Sequence, residues 1–386
     1  MLTKETINQS FFTQFNHQPT LVAKSPGRIN IIGEHTDYNH GFVMPAAIDK
    51  YIYVALSRRE DNGLHLYSAD YNESFVTSLN QSIDDIPDWA KYIVGVAEII
   101  NHKTSKISGF NAYVIGDVPL GAGLSSSAAF SCATGFALNE LFNCNLSRED
   151  IAKVGQQTEH DYIGVKCGIM DQFASVMGKD NHAIQLDCHD LHFTYIPLDW
   201  KDYEILLLNS NVKHNLASSA YNDRRAACEQ GVAWVKEHDT EVESLRDITI
   251  AQLDEFVLPK SKDVYTKCRY IVEENSRVEK ASKALQNHQF EDLGKLLFET
   301  HWALSKEYEV SCDELDFLVE EVQKMPEVIG ARMMGGGFGG CTINIVKKGH
   351  RHDVIDKITP LYKSKFGIEP TALRMSIGNG TSFVDE

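Results

Sequence analysis

The stretch VPLGAGLSSSAAF, residues 118–130, decides the fold class. It follows a strand-like run at 110–118 and leads into a segment rich in Ala, Leu and Phe, which predicts a buried helix. Two glycines between a strand and a helix let the backbone approach an anion, and the helix points its free N–H groups and its positive dipole end at the loop. The spacing fits an anion-binding loop and an ordinary serine-capped turn equally well.

Two common interpretations of such a loop are excluded. No lysine follows the glycines, so the stretch is not a Walker loop, and the serines do not satisfy G-x-S-x-G, so a hydrolase nucleophile is not indicated.

A second glycine cluster, at 335–340, satisfies G-x-G-x-x-G when its letters are taken alone. A dinucleotide-binding fold needs a helix after the glycines, whereas the segment CTINIVKK that follows here predicts a strand. The dehydrogenase interpretation therefore fails on context. The remaining alternatives are a flexible hairpin loop and a loop packed against a ligand or another loop, and we favour the second.

The first motif in chain order, residues 26–38, places several charged side chains directly after a short apolar run. Glu34, His35 and Asp37 follow the run directly, and Arg28 precedes it. Sugar hydroxyls need acceptors held in fixed directions, so this pattern suits a polyhydroxylated ligand. The alternatives are a solvated, turn-rich loop and a metal site, but no partner His or Cys lies at ligand spacing.

The chain divides into a strand-led first half and a helix-rich second half. We predict two α+β domains, 1–199 and 200–386, and the tail can pack back on the first domain. Ser147 and Asp150 resemble a capping box that starts a helix. The tail after the strand CTINIVKK is predicted to be strand-like. Further strands are expected at YIYVALSRR, GLHLYSAD, 183–198 and 204–212, and helices near Met170 and at 221–238, 267–287 and 290–308.

Composition narrows the class of protein. The chain has 386 residues and a net charge of −17, which argues against binding to nucleic acid or to an anionic membrane. No apolar stretch is long enough to span a bilayer, and the first residues do not resemble a secretory signal. Eight scattered cysteines without a C-x-x-C pair are typical of reduced thiols. We expect a cytoplasmic protein with no obligate protein partner.

Taken together and in this order, the motifs point to one family. The sequence GRINIIGEHTDYNHGFVMPAAI, residues 27–48, resembles the signature of the galactokinases, a branch of the small-molecule kinases that include homoserine, mevalonate and phosphomevalonate kinases. The stretch 118–130 resembles the phosphate loop of that family, and MMGGGFGGC, residues 333–341, its third motif. CGIMDQFAS, residues 167–175, resembles the segment that carries the catalytic aspartate.

The resemblance implies a fold and a reaction. It implies a ribosomal-S5-like N-terminal domain and a ferredoxin-like α+β C-terminal domain, with the active site in the cleft between them. The implied reaction transfers a phosphoryl group from Mg-ATP to α-D-galactose, giving α-D-galactose 1-phosphate and ADP, the entry step of galactose catabolism.

The resemblance also implies roles for individual residues. Asp171 would be the general base, and Arg28 would orient it and stabilise the developing charge. Because a loose transition state needs little deprotonation before attack, we expect proton transfer to Asp171 to be late. The sugar ligands would be Glu34, His35, Thr36, Asp37, Gly168, Asp171 and Tyr221. The ATP ligands would be Ser68, Gly121, Ala122, Gly123, Leu124, Ser125, Ser126 and Ser127, and the Mg²⁺ ligands Ser127 and Glu159.

Three alternatives stay open. One is a kinase of the same family that acts on N-acetylgalactosamine or arabinose, since specificity lies in a pocket shape that sequence does not display. Another is a non-catalytic sensor of galactose and ATP; such sensors resemble galactokinases with a shortened phosphate loop, whereas residues 125–128 are intact here. A mevalonate- or homoserine-type kinase would leave GEHTDY unexplained.

Overall fold

Strands form three sheets in the computed structural model, which describes residues 2–119, 121–213 and 217–384. Leu120, inside the predicted phosphate loop, lies outside the described residues. The described strands are β1 (Leu21–Asn30), β2 (Phe42–Val43), β3 (Pro45–Arg58), β4 (Gly63–Ser68), β5 (Glu73–Ser78), β6 (Phe110–Gly116), β7 (His182–Asp187), β8 (Phe193–Pro197), β9 (Tyr203–Lys213), β10 (Val328–Met333), β11 (Gly339–Lys347), β12 (Thr371–Leu373) and β13 (Ser382–Phe383).

Helices pack around these sheets. The described α-helices are α1 (Lys4–Phe15), α2 (Asp88–Thr104), α3 (Ser126–Leu141), α4 (Arg148–Thr158), α5 (Met170–Met177), α6 (Ala217–Lys236), α7 (Ile250–Gln252), α8 (Lys262–Gln286), α9 (Phe290–Lys306), α10 (Asp313–Gln323) and α11 (Arg351–Phe366). A single π-helical turn, Glu159–Ile163, extends α4. In the described part of the chain, no helix combines the length and the apolar character needed to cross a membrane.

The first half is built on a six-stranded sheet in the order β13-β1-β3-β6-β4-β5. Helix α3 packs on β1 and β3, and α2 packs on α3, so that their apolar faces close one core. The predicted capping box is confirmed: the Ser147 hydroxyl accepts from the Asp150 N–H, and the Asp150 carboxylate accepts from the Ser147 N–H. A break in register between Pro26 and Arg28 interrupts the β1–β3 pairing, and such bulges re-aim side chains.

The second half contains a four-stranded sheet in the order β10-β11-β9-β12. Its strands pair antiparallel, with α9 and α10 against β10, and α11 against α10. The predicted α+β class is confirmed.

A strand and a helix of the second half pack on the first half. Strand β13, near the C-terminus, pairs antiparallel with β1. Helix α8 of the second half lies against β2 and β8 of the first half, and its Val278 and Ala281 belong to the same apolar core as Ile29. The second sheet begins in sequence at Tyr203, and the domain boundary near residue 200 stays a prediction.

The tail is the clearest error of the sequence prediction. Residues Arg351–Phe366 form a helix, not a strand, with Pro360 inside it. Because proline normally breaks a helix, Pro360 made the helical spacing of the apolar residues around it difficult to recognise. Val354, Ile358 and Tyr362, spaced four residues apart, are fully buried in the core under the second sheet, and this burial outweighs the proline. Strand structure in the described tail is confined to the short β12 and β13.

Candidate active site

A cavity of about 220 Å³ lies where the three sequence motifs meet. It is formed by the end of β1, the turn after it, the first turns of α3 and α5, and the loop between β10 and β11. Its polar lining includes Arg28, Glu34, Asp37, Glu159, Asp171 and Tyr221. The structure thus brings together most of the predicted site residues, which are far apart in the sequence.

Arg28 and Asp171 form a two-pronged ion pair at the floor of this cavity. The Arg28 Nε donates to Asp171 Oδ1 at 2.7 Å, and its second terminal nitrogen donates to Oδ2 at 2.9 Å. Ser125 also donates to Oδ2. Burial opposes the charge on Arg28, but Asp171 and Glu34 raise its pKa above the ordinary value, so Arg28 is a permanent cation.

The phosphate loop is locked to this ion pair. The remaining guanidinium nitrogen of Arg28 donates to the Gly123 carbonyl at 2.6 Å. The backbone N–H of Arg28 donates to the Leu124 carbonyl at 3.0 Å. Ser125, directly before α3, has φ 57° and provides no side-chain cap, because its hydroxyl is directed to Asp171. Among the described residues, the first N–H groups of α3 therefore have no side-chain cap, and like those of any helix they have no intrahelical acceptor, as an anion-binding helix start requires.

The second glycine cluster packs against the first. A Cβ added at Gly335 would come within 3.4 Å of the Gly123 carbonyl, and one at Gly340 would come within 3.4 Å of the Ala122 carbonyl. These are ordinary contact distances, and it is the positive φ of both residues that disfavours an L side chain there. Our preference for a loop packed against another loop is confirmed.

Glu34 is held by hydrogen bonds from the region around the second glycine cluster. It is 1% exposed, and its Oε1 accepts from the Arg332 guanidinium at 3.0 Å and from the Gly335 N–H at 2.8 Å. Gly335 belongs to the second glycine cluster and Arg332 lies three residues before it, so this region contacts the phosphate loop and the first motif together.

Asp37 lies directly against Gly168. A Cβ at Gly168 would be 2.1 Å from Asp37 Oδ2, so no side chain fits there while the carboxylate stays in place. Burial, together with the nearby charge of Asp171, raises the pKa of Asp37 to about 7. Asp37 therefore changes protonation near neutral pH.

His35 forms part of an aromatic box. Its Nδ1 lies 2.7 Å from the Tyr38 hydroxyl, which lies 2.7 Å from the Tyr308 hydroxyl, and its ring packs on Tyr221 with centroids 5.1 Å apart. Burial, together with the nearby charge of Arg224, lowers the pKa of His35 to about 3, so the ring is neutral. Its Nε2 is buried without a well-formed hydrogen bond among the described residues.

Ser127 and Glu159 stand side by side at the start of α3 and in the π-helical turn. Burial raises the pKa of Glu159 to about 7, although the Ser127 hydroxyl, which donates to the carboxylate, opposes this shift. Within the described residues, no lysine or arginine forms an ion pair with Glu159. A buried carboxylate beside a hydroxyl and without a protein cation fits a small divalent cation, which takes oxygen ligands.

Eight of the predicted ligands do not line the cavity: Thr36, Ser68 and the phosphate-loop residues 121–126. The Thr36 hydroxyl donates to the Gly33 and Phe42 carbonyls, at 3.0 and 2.7 Å, and so closes the turn of the first motif. Ser68 is buried at the end of β4, beside Val114 of β6. The geometry supports neither the Thr36 nor the Ser68 side chain as a direct contact of a ligand in this cavity.

Arg332 is the main contributor that sequence reasoning missed. It is fully buried and reaches the site through Glu34. The available signal was a single arginine in the otherwise apolar run 328–334, directly before the second glycine cluster. Gly336, which faces the Tyr221 ring, and Cys167, beside Gly168, also line the cavity and were not predicted.

Family comparisons agree with this geometry. Residues 9–58 match the galactokinase galactose-binding signature, 91–179 match the N-terminal domain of GHMP kinases, and 281–363 match their C-terminal domain. The two matched domains are those of a GHMP kinase, so the class is an enzyme that phosphorylates a small molecule.

Full-length relatives define the branch. The chain is 43% identical to a galactokinase of Thermosipho africanus over 93% of this chain and 98% of the relative, and 38% identical to one of Staphylococcus carnosus over the whole of both. It is also similar to the crystal structure of Lactococcus lactis galactokinase complexed with galactose, with a TM-score of 0.92, 33% identity and coverage of 98% and 99%. The chain belongs to the galactokinase family.

These comparisons confirm the predicted family, the two-domain kinase fold and the kinase activity class. The roles of individual residues remain predictions.

Proposed function

We propose that the protein transfers the γ-phosphoryl group of ATP to the C1 hydroxyl of α-D-galactose, giving α-D-galactose 1-phosphate and ADP. The observation that carries this proposal is Asp171, fixed by Arg28 between the phosphate loop and the acidic residues of the first motif. A bond forms between the sugar O1 and the γ-phosphorus, the bond from that phosphorus to ADP breaks, and the O1 proton goes to Asp171.

The hydrogen bonds of Asp171 indicate which atom accepts the proton. Oδ2 accepts from both Arg28 and Ser125, whereas Oδ1 accepts from Arg28 alone. Each carboxylate oxygen has two lone pairs, so Oδ1 keeps one free and is the atom that accepts the proton.

Since phosphoryl transfer through a loose transition state develops little charge on the attacking oxygen, positioning and charge neutralisation account for most of the rate enhancement.

The phosphate side uses backbone and helix rather than a lysine. The uncapped first turn of α3 and the loop from Gly121 to Ser127 would bind the ATP phosphates. Ser127 and Glu159 would hold Mg²⁺, which neutralises phosphate charge when bound. Arg28 would add a fixed positive charge beside the transferred group. We keep Ser68 as a candidate contact to another part of the nucleotide.

The sugar side presents acceptors in fixed directions. Glu34 Oε1 is occupied, which leaves Oε2 for a sugar hydroxyl, and Asp37 is held against Gly168. The rings of Tyr221 and His35 form an apolar wall. We assign Thr36 to shaping the turn, with any sugar contact made by its backbone.

This activity makes galactose and Mg-ATP the small-molecule partners and points to the cytoplasm, where ATP is available. A test is ADP release with Mg-ATP across galactose, N-acetylgalactosamine, arabinose, glucose, mevalonate and homoserine. We expect turnover with galactose above all the others. Turnover that prefers another sugar would mean that this sugar, not galactose, is the substrate. Binding of galactose and ATP without turnover would favour a non-catalytic sensor of the two ligands.

Asp171→Asn tests the base. We expect kcat to fall by about a hundredfold or more while galactose binding stays detectable by calorimetry, because the amide cannot accept the proton. Asp150→Asn is the matched control, since Asp150 is also in the first turn of a helix but belongs to an exposed capping box. Wild-type turnover in Asp171→Asn would remove this residue from the mechanism.

A further inference from the structure

Arg332 is the largest side chain with no solvent exposure among the described residues. Its guanidinium donates to the carbonyls of Ile31 and Met333, at 2.7 and 2.6 Å, to that of Asn30, and to the Glu34 carboxylate at 3.0 Å. Three of these acceptors belong to the end of β1 and the turn that follows it. Arg332 therefore ties the strand before the second glycine cluster to the first motif.

The contact with Glu34 is selective for one oxygen. Arg332 and the Gly335 N–H both donate to Oε1, at 3.0 and 2.8 Å. Two donors on one oxygen fix the carboxylate rotamer and direct Oε2 away from them, toward the cavity that Glu34 lines. A carboxylate already held in this way loses little conformational entropy when a sugar hydroxyl binds.

A buried arginine is well suited to this role. Its planar fork supplies several donors in fixed directions, which a lysine ammonium cannot reproduce. Another buried arginine, Arg277, pairs with Glu274, which accepts from the Gly33 N–H, and so supports the backbone of the turn rather than the Glu34 carboxylate. Arg332 is therefore the one described arginine with a direct contact to Glu34.

We propose that Arg332 is a positioning residue for sugar recognition, which acts by holding Glu34 in its binding orientation; this inference rests on the proposed function. It predicts that the loss of Arg332 weakens galactose binding through Glu34 and has little effect on ATP. A merely structural role would predict a loss of stability that is independent of Glu34.

The test is a double-mutant cycle with Arg332→Lys and Glu34→Gln, with galactose Kd measured by calorimetry and the KM of both substrates measured by ADP release. We expect Arg332→Lys to raise the galactose Kd by about tenfold or more in the wild-type background and by less than about twofold in the Glu34→Gln background. The ATP KM should change by less than about twofold, because the Lys variant leaves the phosphate loop intact.

His301→Gln is the matched control for damage to the same strand. His301 is fully buried and its Nδ1 accepts from the Met333 N–H at 3.1 Å, but it does not touch Glu34. We expect its galactose Kd to stay near the wild-type value even where its melting temperature falls as far as that of Arg332→Lys. If Glu34→Gln binds too weakly for the cycle, the comparison of Arg332→Lys with this control decides.

Three outcomes would overturn the inference. The first is that Arg332→Lys raises the galactose Kd equally in the wild-type and Glu34→Gln backgrounds, and the second is that it raises the KM of galactose and of ATP equally. The third is that His301→Gln, at equal stability, raises the galactose Kd as much as Arg332→Lys does. Failure of the proposed function is a separate result, since it would appear as wild-type protein that does not bind or phosphorylate galactose.

Discussion

Gly168→Ala tests the arrangement of the sugar side of the cavity. The added methyl carbon would lie 2.1 Å from both Cγ and Oδ2 of Asp37, whereas ordinary contacts begin near 3.4 Å. The carboxylate must therefore retreat by about 1.3 Å, from 2.1 to 3.4 Å. The φ of Gly168 is not positive, so alanine adds no backbone strain and the effect is confined to this contact.

The size of the effect follows from the geometry. A hydrogen bond of about 2.8 Å that lengthens by this amount is lost, and an unpaired buried partner costs about 1–3 kcal/mol. We expect the galactose KM to rise by about fivefold to 150-fold, with the ATP KM nearly unchanged.

The assay is steady-state ADP release with each substrate varied in turn, in single and double variants. Because Asp37→Gly removes Cβ, Cγ and Oδ2, the three atoms that clash, Gly168→Ala should have little further effect in that background. A wild-type galactose KM in Gly168→Ala, or a full additional loss in the double variant, would refute the reasoning.

The remaining predictions concern protonation and strain. Burial raises the pKa of Glu159 to about 7 from an ordinary 4.5, so the unfolded chain loses this proton first as pH rises. Without Mg²⁺, the free energy of unfolding of the wild type, relative to that of Glu159→Gln, should therefore fall by up to about 3 kcal/mol between pH 4.5 and 7 and then stay level. The measurement is urea unfolding of both proteins across this pH range. A difference between the two proteins that does not change with pH contradicts the prediction. Ser125→Gly and Ser125→Ala both lose the hydroxyl that donates to Asp171 and should lower kcat alike, but only glycine relieves the positive φ of 57°. The glycine variant should therefore be about 1 kcal/mol more stable than the alanine variant by denaturant midpoint, and equal midpoints would argue against strain at Ser125.

Local features of the fold were predictable where short-range chemistry decides them. The capping box at Ser147 and Asp150, the strand–loop–helix around the first glycines and the strand after the second cluster need only neighbouring residues. The prediction missed α2, which begins at Asp88 after the N-cap residue Pro87 and has no side-chain cap, and it took α11 for a strand because of Pro360. In α11, contacts with distant elements outweigh local preference.

The site shows the same division. The motifs supplied the chemical groups, but their pairing joins residues 143 positions apart in the Arg28–Asp171 ion pair and 298 apart in the Arg332–Glu34 pair. Thr36 belongs to a motif whose neighbours line the cavity, yet its hydroxyl turns to the backbone. Motif membership does not determine the direction of each side chain.

The sequence by itself determined the kinds of chemistry available: glycines that let backbone approach an anion, serines at a helix start, and carboxylates crowded after a strand. These depend on dihedral freedom and on groups a few residues apart. Only the tertiary structure decided which carboxylates share the cavity, that Asp37 and Glu159 have a pKa of about 7, and that Glu34 is held by Arg332. The reason is physical, because burial and Coulomb interaction act through space and depend on distances that the order of residues does not contain.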